Sequence, residues 1–412
     1  MKGHATLDAL RAGRLAGATS LDLRHAGLEA LPPEVFALAD TLESLDLSGN
    51  ALSELPDELP RLRRLRVLFA SNNRFTALPR AIGRCESLDL VGFKANRIAE
   101  VAEDALPPTL RWLILTDNEV PALPESIGRC TRLQKLMLAG NRLEALPRGL
   151  AECRNLELAR LAANRFASVE AALPEALLAL PRLAWLAFSG NPFEAGREAR
   201  GVAESGIAPV AWNALDIGEL LGEGASGHIH AATWTRPDGA RRRVAVKKFK
   251  GAVTSDGLPA SEMAACLAAG THPHLVRVEG RLVDHPAHAQ GLVMQRIPDG
   301  FRNLAGPPSL ASCTRDVYPE GTRLTAAQAH AIGQGTAEAL AHLHARGLVH
   351  GDLYAHNLLV DDDGFALLGD FGAASFVPED DPQRAEALRR LDRRALQHLL
   401  DELDRLQATP SR

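Results

Sequence analysis

The sequence predicts an α/β solenoid of repeated short strands, followed by a second domain of the α+β class. Three observations support this prediction: a leucine and asparagine frame recurs through residues 1–193, the frame stops over residues 194–213, and strand, turn and helix patterns follow from residue 214. The chain has 412 residues, 46% of them hydrophobic and 24% charged, so it is long enough for two or three domains with their own cores.

The composition excludes several classes of protein. Lys+Arg number 46 and Asp+Glu 51, a net charge of −5, so there is no basic excess to hold nucleic acid or an anionic membrane. The five Cys are scattered without paired spacing, which argues against a disulfide framework or a structural zinc site and favours a reducing compartment. No signal peptide is recognisable, and no run reaches the ~20 apolar residues of a membrane span. We therefore expect a cytoplasmic protein without such a span.

The first half of the chain repeats one frame. In the segment LESLDLSGNAL, the pattern LxxLxLxxNxL ends on Asn50 and Leu52. Its asparagine recurs at spacings of 22 to 27 residues, at Asn73, Asn96, Asn118, Asn141, Asn164 and Asn191. An earlier copy has Ala26 in place of the asparagine, and terminal repeats are often atypical because they cap the stack.

Each position of the frame has a physical role. The leucines of the short strand point inward, and the asparagine side chain bonds backbone groups of a turn that would otherwise lack partners. Cys85, Cys130 and Cys153 each precede the asparagine of their repeat by 11 residues, so we expect them to be small buried hydrophobes. This pattern resembles the leucine-rich repeat family over residues 1–193, in about eight copies.

The concave face of the predicted solenoid carries apolar side chains. Strand alternation exposes the residues six, four and two positions before each asparagine. In the middle repeats these positions form a stripe of Val67, Phe69, Leu90, Trp112, Ile114, Met137, Leu158 and Trp185. If exposed, the stripe indicates a binding surface for another polypeptide, a dimer mate or the protein's own second domain. The alternative is that these side chains pack on one another and fill the curvature.

Residues 194–213 are polar, small and aperiodic, and we predict a linker there, with a capping helix as an option. Residues 218–250 then show a strand, a turn, a second strand and, after a loop, a third. The first turn is Gly222-Glu-Gly224-Ala-Ser-Gly227, whose glycines let backbone N–H groups approach phosphates. By itself the turn is equally consistent with an ordinary glycine hairpin.

Further motifs follow in a fixed order. The apolar strand Val244-Ala245-Val246 ends in Lys247, and a lysine on a buried strand needs an acidic partner, which Glu262 in the next helical stretch can supply. The segment HGDLYAHN holds Asp352 and Asn357, and Gly-Asp-Phe-Gly follows with Asp370. In order and spacing these motifs resemble the eukaryotic-like protein kinases of the bacterial type, over residues 214 to about 403.

The resemblance implies a bilobal α+β fold, with an N-lobe and hinge in residues 214–297 and a truncated C-lobe in residues 298–412. It also implies an ATP site. The glycine turn would cover the phosphates, and Lys247, paired with Glu262, would hold the α- and β-phosphates. The strand GLVMQRIP would lead to the hinge, with adenine contacts from Ala245, the gatekeeper Met294, Gln295 and Ile297.

The chemistry is implied for three further residues. Asp352 would accept the proton of the substrate hydroxyl, and Asn357 and Asp370 would ligate Mg²⁺. Carboxylate and amide oxygens are the hard ligands that this ion prefers. The mechanism implied is phosphoryl transfer by positioning and charge neutralisation.

The sequence departs from the family in three ways. Gly351 stands where many kinases have an Arg that pairs with a phosphate on the activation segment, so activation by that route is not expected. Tyr354 and His356 occupy the positions that distinguish serine/threonine from tyrosine kinases, which leaves the acceptor ambiguous. Asp392, which resembles the aspartate opening the central C-lobe helix, follows Asp370 by only 22 residues, so the activation segment is very short.

Two functions compete on these grounds. The first is an active protein kinase that uses ATP and Mg²⁺, phosphorylates Ser or Thr more readily than Tyr, including on itself, and binds protein partners through its repeats. The second is a nucleotide-binding pseudokinase scaffold. Retention of every proton-handling and metal-binding group favours the first. Substrate recognition would then fall to the concave face or to the insertion at residues 300–323, where Tyr318 is a candidate phosphorylation site.

Overall fold

The computed structural model describes residues 2–224, 226–250 and 253–407. The chain forms two compact units, residues 1–183 and 184–412. The last predicted repeat strand thus lies in the second unit.

The first unit is a stack of short parallel strands. Each strand is only three residues long, and every one pairs in register with the next, as Leu45 does with Leu68. The residue at the centre of each strand, most often leucine, is buried. The elements are α1 (Lys2–Arg11), β1 (Ser20–Asp22), β2 (Ser44–Asp46), β3 (Val67–Phe69), β4 (Leu90–Gly92), β5 (Trp112–Ile114), β6 (Lys135–Met137), β7 (Leu158–Arg160), α2 (Val169–Ala172) and α3 (Glu175–Leu178).

The frame asparagines bond backbone groups between consecutive repeats, as predicted. The Asn118 amide donates to the carbonyl oxygens of Phe93 and Leu115 at 2.9 and 3.0 Å, and its oxygen accepts the Ile98 N–H at 2.9 Å. Equivalent bonds recur at Asn50 and Asn141. Because buried backbone groups are costly to leave unpaired, this ladder stabilises the turn after each strand.

The three cysteines of the frame are buried, as expected. Burial raises the pKa of Cys85 and of Cys130 to about 11 and that of Cys153 to about 12, well above the range in which a thiol is nucleophilic. Cys85 and Cys153 each directly follow a short 3₁₀ turn, Arg80–Arg84 and Arg148–Glu152. The cysteines therefore have a packing role.

The second unit begins with ordered structure where the composition predicts a linker. Strand β8 (Trp185–Ala187) is followed by helix α4 (Ala195–Glu204) and strand β9 (Pro209–Ala211). Strand β9 pairs in parallel with β13 (Val278–Val283) at the edge of a larger sheet. Residues 194–213 are thus mostly helix and strand, since backbone pairing orders a segment that carries little apolar periodicity.

The N-lobe is a twisted sheet with one helix beside it. Its strand order is β10, β11, β12, β14, β13, β9, and all neighbours except β13 and β9 are antiparallel. Val244, Val246 and Val293 lie in the core on one face of the sheet. The remaining elements are β10 (Leu215–Glu223), β11 (Gly227–Thr235), β12 (Arg241–Phe249), α5 (Pro259–Ala269) and β14 (Gly291–Gln295).

The C-lobe is built on two long helices and small strand pairs. Helix α6 begins with a capping box in which Thr325 and Gln328 exchange side-chain and backbone bonds. Asp392 lies in the middle of the last helix and not at its start, which corrects the expectation from sequence. The elements are β15 (Arg302–Asn303), α6 (Ala326–Ala345), β16 (Leu348–Val349), β17 (Leu358–Val360), β18 (Ala366–Leu368), β19 (Ser375–Phe376) and α7 (Pro382–Leu406). Within the described residues, no helix has the length and apolarity needed to cross a bilayer.

The carboxyl of Glu194, at the start of α4, is fully buried. Burial, together with the nearby charge of Glu198, raises its pKa well above the usual range. The folded state therefore binds the proton more tightly than the unfolded chain, and Glu194 destabilises the fold as the pH rises above the unfolded value near 4.3. Each unit of elevation corresponds to about 1.4 kcal/mol.

We expect Glu194→Gln to raise the free energy of unfolding at pH 8 by roughly 1 kcal/mol or more, with a much smaller gain at pH 5. Denaturant unfolding at the two pH values measures this difference. Glu204→Gln, at an exposed position on the same helix, is the matched control and should show no such dependence. An equal effect of Glu194→Gln at both pH values would contradict the assignment.

Candidate active site

Most of the predicted site residues of the second unit line one cavity of about 690 Å³ between the N-lobe sheet and the C-lobe strands. The predicted residues on its wall are Gly222, Gly224, Gly227, Ala245, Lys247, Glu262, Met294, Gln295, Ile297, Asn357 and Asp370. Asp352 is not part of this wall. Its carboxylate accepts a hydrogen bond from Asn357, which does lie on the wall. Residues far apart in sequence thus converge on one cavity.

Strand β12 places two of these residues by simple alternation. Val244 and Val246 point into the core, so Ala245 and Lys247 face the cavity. The Lys247 ammonium forms an ion pair and hydrogen bond with Glu262 of α5, and both side chains are largely buried. Burial alone would lower the pKa of Lys247, but the negative charges of Glu262 and Asp370 outweigh it and raise that pKa. The cavity therefore contains a fixed cation.

The three glycines of the turn between β10 and β11 differ in their surroundings. A Cβ at Gly227 would lie 2.4 Å from the Lys248 carbonyl oxygen, so close strand packing requires glycine there. A Cβ at Gly222 or at Gly224 would meet no protein atom within 4 Å. Packing does not explain these two glycines, and their lack of a side chain keeps the cavity open beside the backbone.

The strand leading out of the N-lobe places the predicted hinge residues. Met294 pairs with Ala245 across β14 and β12, and Gln295 pairs with Val244. Ile297 lies two residues beyond the end of β14, on the cavity wall. The side chains of Ala245 and Met294 thus lie on neighbouring strands at the same depth of the cavity.

The segment after β16 holds Asp352 through a dense set of hydrogen bonds. The Asn357 amide donates to the carbonyl oxygen and to the carboxylate of Asp352, at 2.8 and 2.9 Å. Since both amide hydrogens are used, the side-chain oxygen of Asn357 is the atom that remains for a metal. The buried carboxylate of Asp392 accepts the N–H groups of His350 and Gly351 at 2.8 and 3.0 Å, which fixes the loop to helix α7.

Asp370 has a positive φ of 51°, an uncommon conformation for a residue other than glycine. Its Oδ1 accepts the Gly372 N–H at 3.1 Å. The next residue, Phe371, contacts the ring of His350, whose Nε2 lies 3.0 Å from the Gly369 carbonyl oxygen. Strained backbone that is held on both sides is typical of functional loops.

Motif spacing in the sequence does not reveal the contact between His356 and Asp316. His356 Nδ1 lies 2.7 Å from the buried carboxylate of Asp316, 40 residues away, and the His356 N–H donates to the same group at 2.9 Å. Burial opposes protonation, but the hydrogen bond to Asp316 and the charges of Asp352 and Asp370 outweigh it and raise the pKa of His356. No sequence motif connects Asp316 to the site.

The insertion at residues 300–323 is more ordered than its composition indicates. Gly306 and Val317 form a β-bridge, and the Tyr318 hydroxyl donates to Glu402 at 2.8 Å. Tyr354 is buried, with a relative exposure of 5%. Neither tyrosine of the chain is therefore presented as an open hydroxyl, which corrects the expectation for Tyr318.

The predicted concave stripe is only partly exposed. Val67, Phe69, Trp112, Ile114 and Met137 keep part of their surface accessible, whereas Leu90, Leu158 and Trp185 are buried. The side chains of the stripe also contact one another, as Trp112 Nε1 does with Met137 Sδ at 3.4 Å.

Trp185 departs furthest from the predicted concave stripe. It belongs to the second unit, where its indole N–H donates to the Leu353 carbonyl oxygen at 2.9 Å. A buried indole needs such an acceptor.

Comparison with known families agrees with this geometry. Residues 215–394 match the family described as protein tyrosine and serine/threonine kinase, and residues 16–75 match the family described as leucine rich repeat. The chain therefore has a leucine-rich repeat region followed by a protein kinase domain.

Individual relatives match one region or the other. The human non-receptor tyrosine-protein kinase TNK1 is 34% identical over 161 residues, covering 38% of this chain and 22% of the relative, and its mouse counterpart is 32% identical over 166 residues, covering 39% and 23%. Human leucine-rich repeat-containing protein 58 is 37% identical over 102 residues, covering 23% of this chain and 28% of the relative. The matched part thus spans about a quarter of the length of these relatives.

A solved structure of a leucine-rich repeat protein from Leptospira interrogans aligns with a TM-score of 0.32 at 23% identity, covering 47% of this chain and 66% of the other.

We expect Lys247→Met to lower the free energy of unfolding by about 3–5 kcal/mol, because it leaves the Glu262 carboxylate buried without its partner. Adding Glu262→Gln should restore much of the loss. Urea unfolding of the single and double variants measures the coupling.

The exposed pair Arg84 and Asp57 provides the control, since Arg84→Met should cost less than about 1 kcal/mol. A cost for Lys247→Met as small as that of the control would show that the pair is not a structural constraint.

Proposed function

We propose that the protein is an ATP- and Mg²⁺-dependent protein kinase that transfers the γ-phosphoryl group to a protein hydroxyl, with Ser or Thr favoured over Tyr, and that its repeats bind protein partners. One observation carries the proposal. A single cavity is lined by the buried Lys247 and Glu262 pair and by the oxygen ligands Asn357 and Asp370, with Asp352 bonded to Asn357 at its edge.

The cavity suits a nucleotide triphosphate. Gly222 and Gly224 leave open space beside their backbone, which gives a polyphosphate access to N–H groups. Lys247 supplies a cation, and the apolar side chains of Ala245, Met294 and Ile297 suit an adenine ring. The volume of about 690 Å³ is within the range of cofactor pockets.

The acidic end of the cavity suits magnesium. The side-chain oxygens of Asn357 and Asp370 would hold the ion, which supplies neutralisation of phosphate charge when bound. Mg²⁺ keeps several waters and commonly uses one or two protein oxygens beside the phosphates, so this donor set is sufficient.

The residues of the chain divide the remaining work. Lys247 holds the phosphates, and its pairing with Glu262 fixes the ammonium in place. Asp352, oriented by the Asn357 amide, accepts the proton of the attacking hydroxyl. The rate gain arises from positioning and from electrostatic stabilisation of the transferred group.

The type of hydroxyl that accepts the phosphoryl group is inferred from the hydroxyl side chains that the chain exposes. Autophosphorylation on tyrosine would need Tyr318 or Tyr354, and the first donates its hydroxyl to Glu402 while the second is buried. Ser309 lies exposed in the insertion and is the better candidate. The similarity to a protein named as a tyrosine kinase makes an external tyrosine the competing outcome.

The accessible part of the concave stripe, formed by Val67, Phe69, Trp112, Ile114 and Met137, is the surface proposed for a protein substrate, a partner or a second copy of the chain. Aromatic and Met side chains are enriched in such interfaces. The net charge of −5 favours a protein over a nucleic acid.

We expect the 412-residue chain to transfer labelled phosphate from ATP to itself or to a generic protein substrate in the presence of Mg²⁺. Asp352→Asn should lower the rate by about 10²- to 10⁴-fold with little change in nucleotide affinity, because it removes only the proton acceptor. Phosphoamino acid analysis of the product identifies the hydroxyl.

The control for this experiment is Asp380→Asn, which changes a fully exposed carboxylate and should leave the rate unaltered. Nucleotide binding without any transfer by the unmodified protein would instead favour a pseudokinase scaffold.

A further inference from the structure

The segment from residue 184 to 204, here called the bracing segment, lies against the two elements on which the proposed activity depends. It contains β8 and α4 and belongs to the same compact unit as the kinase domain. The leucine-rich repeat resemblance covers residues 184–193 of this segment, and the composition of residues 194–204 predicts a linker, with a capping helix as an option. Its contacts give it a different role.

The first contact is made by Trp185 on the loop that carries Asp352. The indole is 1% exposed and donates through Nε1 to the Leu353 carbonyl oxygen at 2.9 Å. Its ring stacks on Tyr354 with centroids 4.4 Å apart and planes 7° apart. Trp185 thus holds the two residues that directly follow Asp352, and His398 of helix α7 stacks on the same indole at 5.4 Å.

The second contact explains Gly351. This residue has a φ of +69°, and a Cβ there would lie 2.6 Å from the Leu186 carbonyl oxygen and 2.7 Å from that of Ala373. The backbone of β8 therefore occupies the space into which a side chain at position 351 would extend. An Arg cannot stand there, so the phosphate-dependent pairing usual at this position is replaced by direct backbone contact.

The third contact reaches the residues after Asp370. The Phe188 N–H donates to the Ser375 hydroxyl at 3.3 Å, and Ser375 is fully buried in β19. Strand β19 in turn pairs with β16, which leads into the loop of Asp352. The short segment that follows Asp370 is thereby fixed on both sides.

The fourth contact is between α4 and α5. Helix α4 packs along α5, and a Cβ at Gly201 would lie 3.2 Å from the Ala268 Cβ and 2.7 Å from the Phe376 ring. A Cβ at Gly190 would lie 2.9 Å from the Leu258 side chain at the start of α5. Because α5 carries Glu262, its position decides whether the ion pair with Lys247 forms.

We propose that the bracing segment holds the loop of Asp352 and helix α5 in their working positions, with Trp185 as the positioning residue for Asp352. The kinase domain is then active without a phosphate on its activation segment. This inference rests on the proposed kinase function and adds its mode of regulation.

The test uses the 412-residue chain and three single substitutions. Trp185→Phe keeps a ring but removes the N–H donor, Trp185→Ala removes the ring, and Trp212→Phe is the control because Trp212 contacts His285 and the N-lobe core instead. For each variant we would measure kcat and KM for ATP, the thermal midpoint, and hydrogen exchange of the backbone amides of residues 350–357.

We expect Trp185→Phe to lower kcat roughly fivefold, the effect of one neutral hydrogen bond, and to lower the thermal midpoint by about 2–4 °C, while KM for ATP stays within about twofold. Exchange in residues 350–357 should become faster, and more so in Trp185→Ala. The control should match the unmodified protein in all readouts. Phosphatase treatment of the unmodified protein should leave kcat within about twofold.

Several results would overturn the proposal. These are unchanged exchange in residues 350–357 of both Trp185 variants, a kcat that is unchanged or higher in Trp185→Phe, or loss of activity on phosphatase treatment. If the unmodified protein binds ATP but transfers no phosphate, the kinase function fails, while the exchange measurement still decides whether Trp185 holds the loop.

Discussion

The buried pairing of Lys247 with Glu262 is the interaction on which the second unit depends. Burying a cation or a carboxylate away from water costs free energy unless the two charges pair with each other. Strand β12 and helix α5 must therefore stay together. The cavity lies beside this pair, and Asp370 adds a further negative charge nearby. The charges of Lys247, Glu262 and Asp370 together therefore set the electrostatic character of the cavity. Anything that moves α5 therefore changes both the fold and the chemistry.

Few elements support the pair of Lys247 and Glu262. The C-lobe has a very short segment between Asp370 and its last helix. Helix α7 compensates for this short segment through one buried carboxylate, that of Asp392. Asp392 accepts two consecutive backbone N–H groups of the loop that precedes Asp352, and His344 lies 3.0 Å from the same carboxylate. Helix α4 and strand β8 then occupy space beside α5 and Gly351.

Much of this could be predicted from sequence, for identifiable reasons. The asparagine frame predicts the bonding of each turn, because a buried amide at Asn118 or Asn141 has only backbone groups to bond. The cavity residues follow from motif order, because alternation along β12 fixes which face Lys247 occupies. These features depend on local periodicity, which sequence records directly.

The remainder depends on contacts between distant residues. The strand pattern puts Trp185 on one face of a repeat, but it does not indicate that Leu353 and Tyr354 cover that face. The bond between His356 and Asp316 spans 40 residues without a motif. Residues 194–213 are predicted as a linker with a capping helix as an option, and the sequence does not indicate that α4 packs on α5.

The proposed nucleotide and metal sites are tested most directly by a crystal structure of the chain with a non-hydrolysable ATP analogue and Mn²⁺ in place of Mg²⁺, using anomalous scattering to locate the metal. We expect adenine beside Ala245 and Met294, phosphates at the Lys247 ammonium, and a metal peak bound by Asn357 and Asp370. An empty cavity at saturating nucleotide, or a metal bound elsewhere, would contradict this expectation.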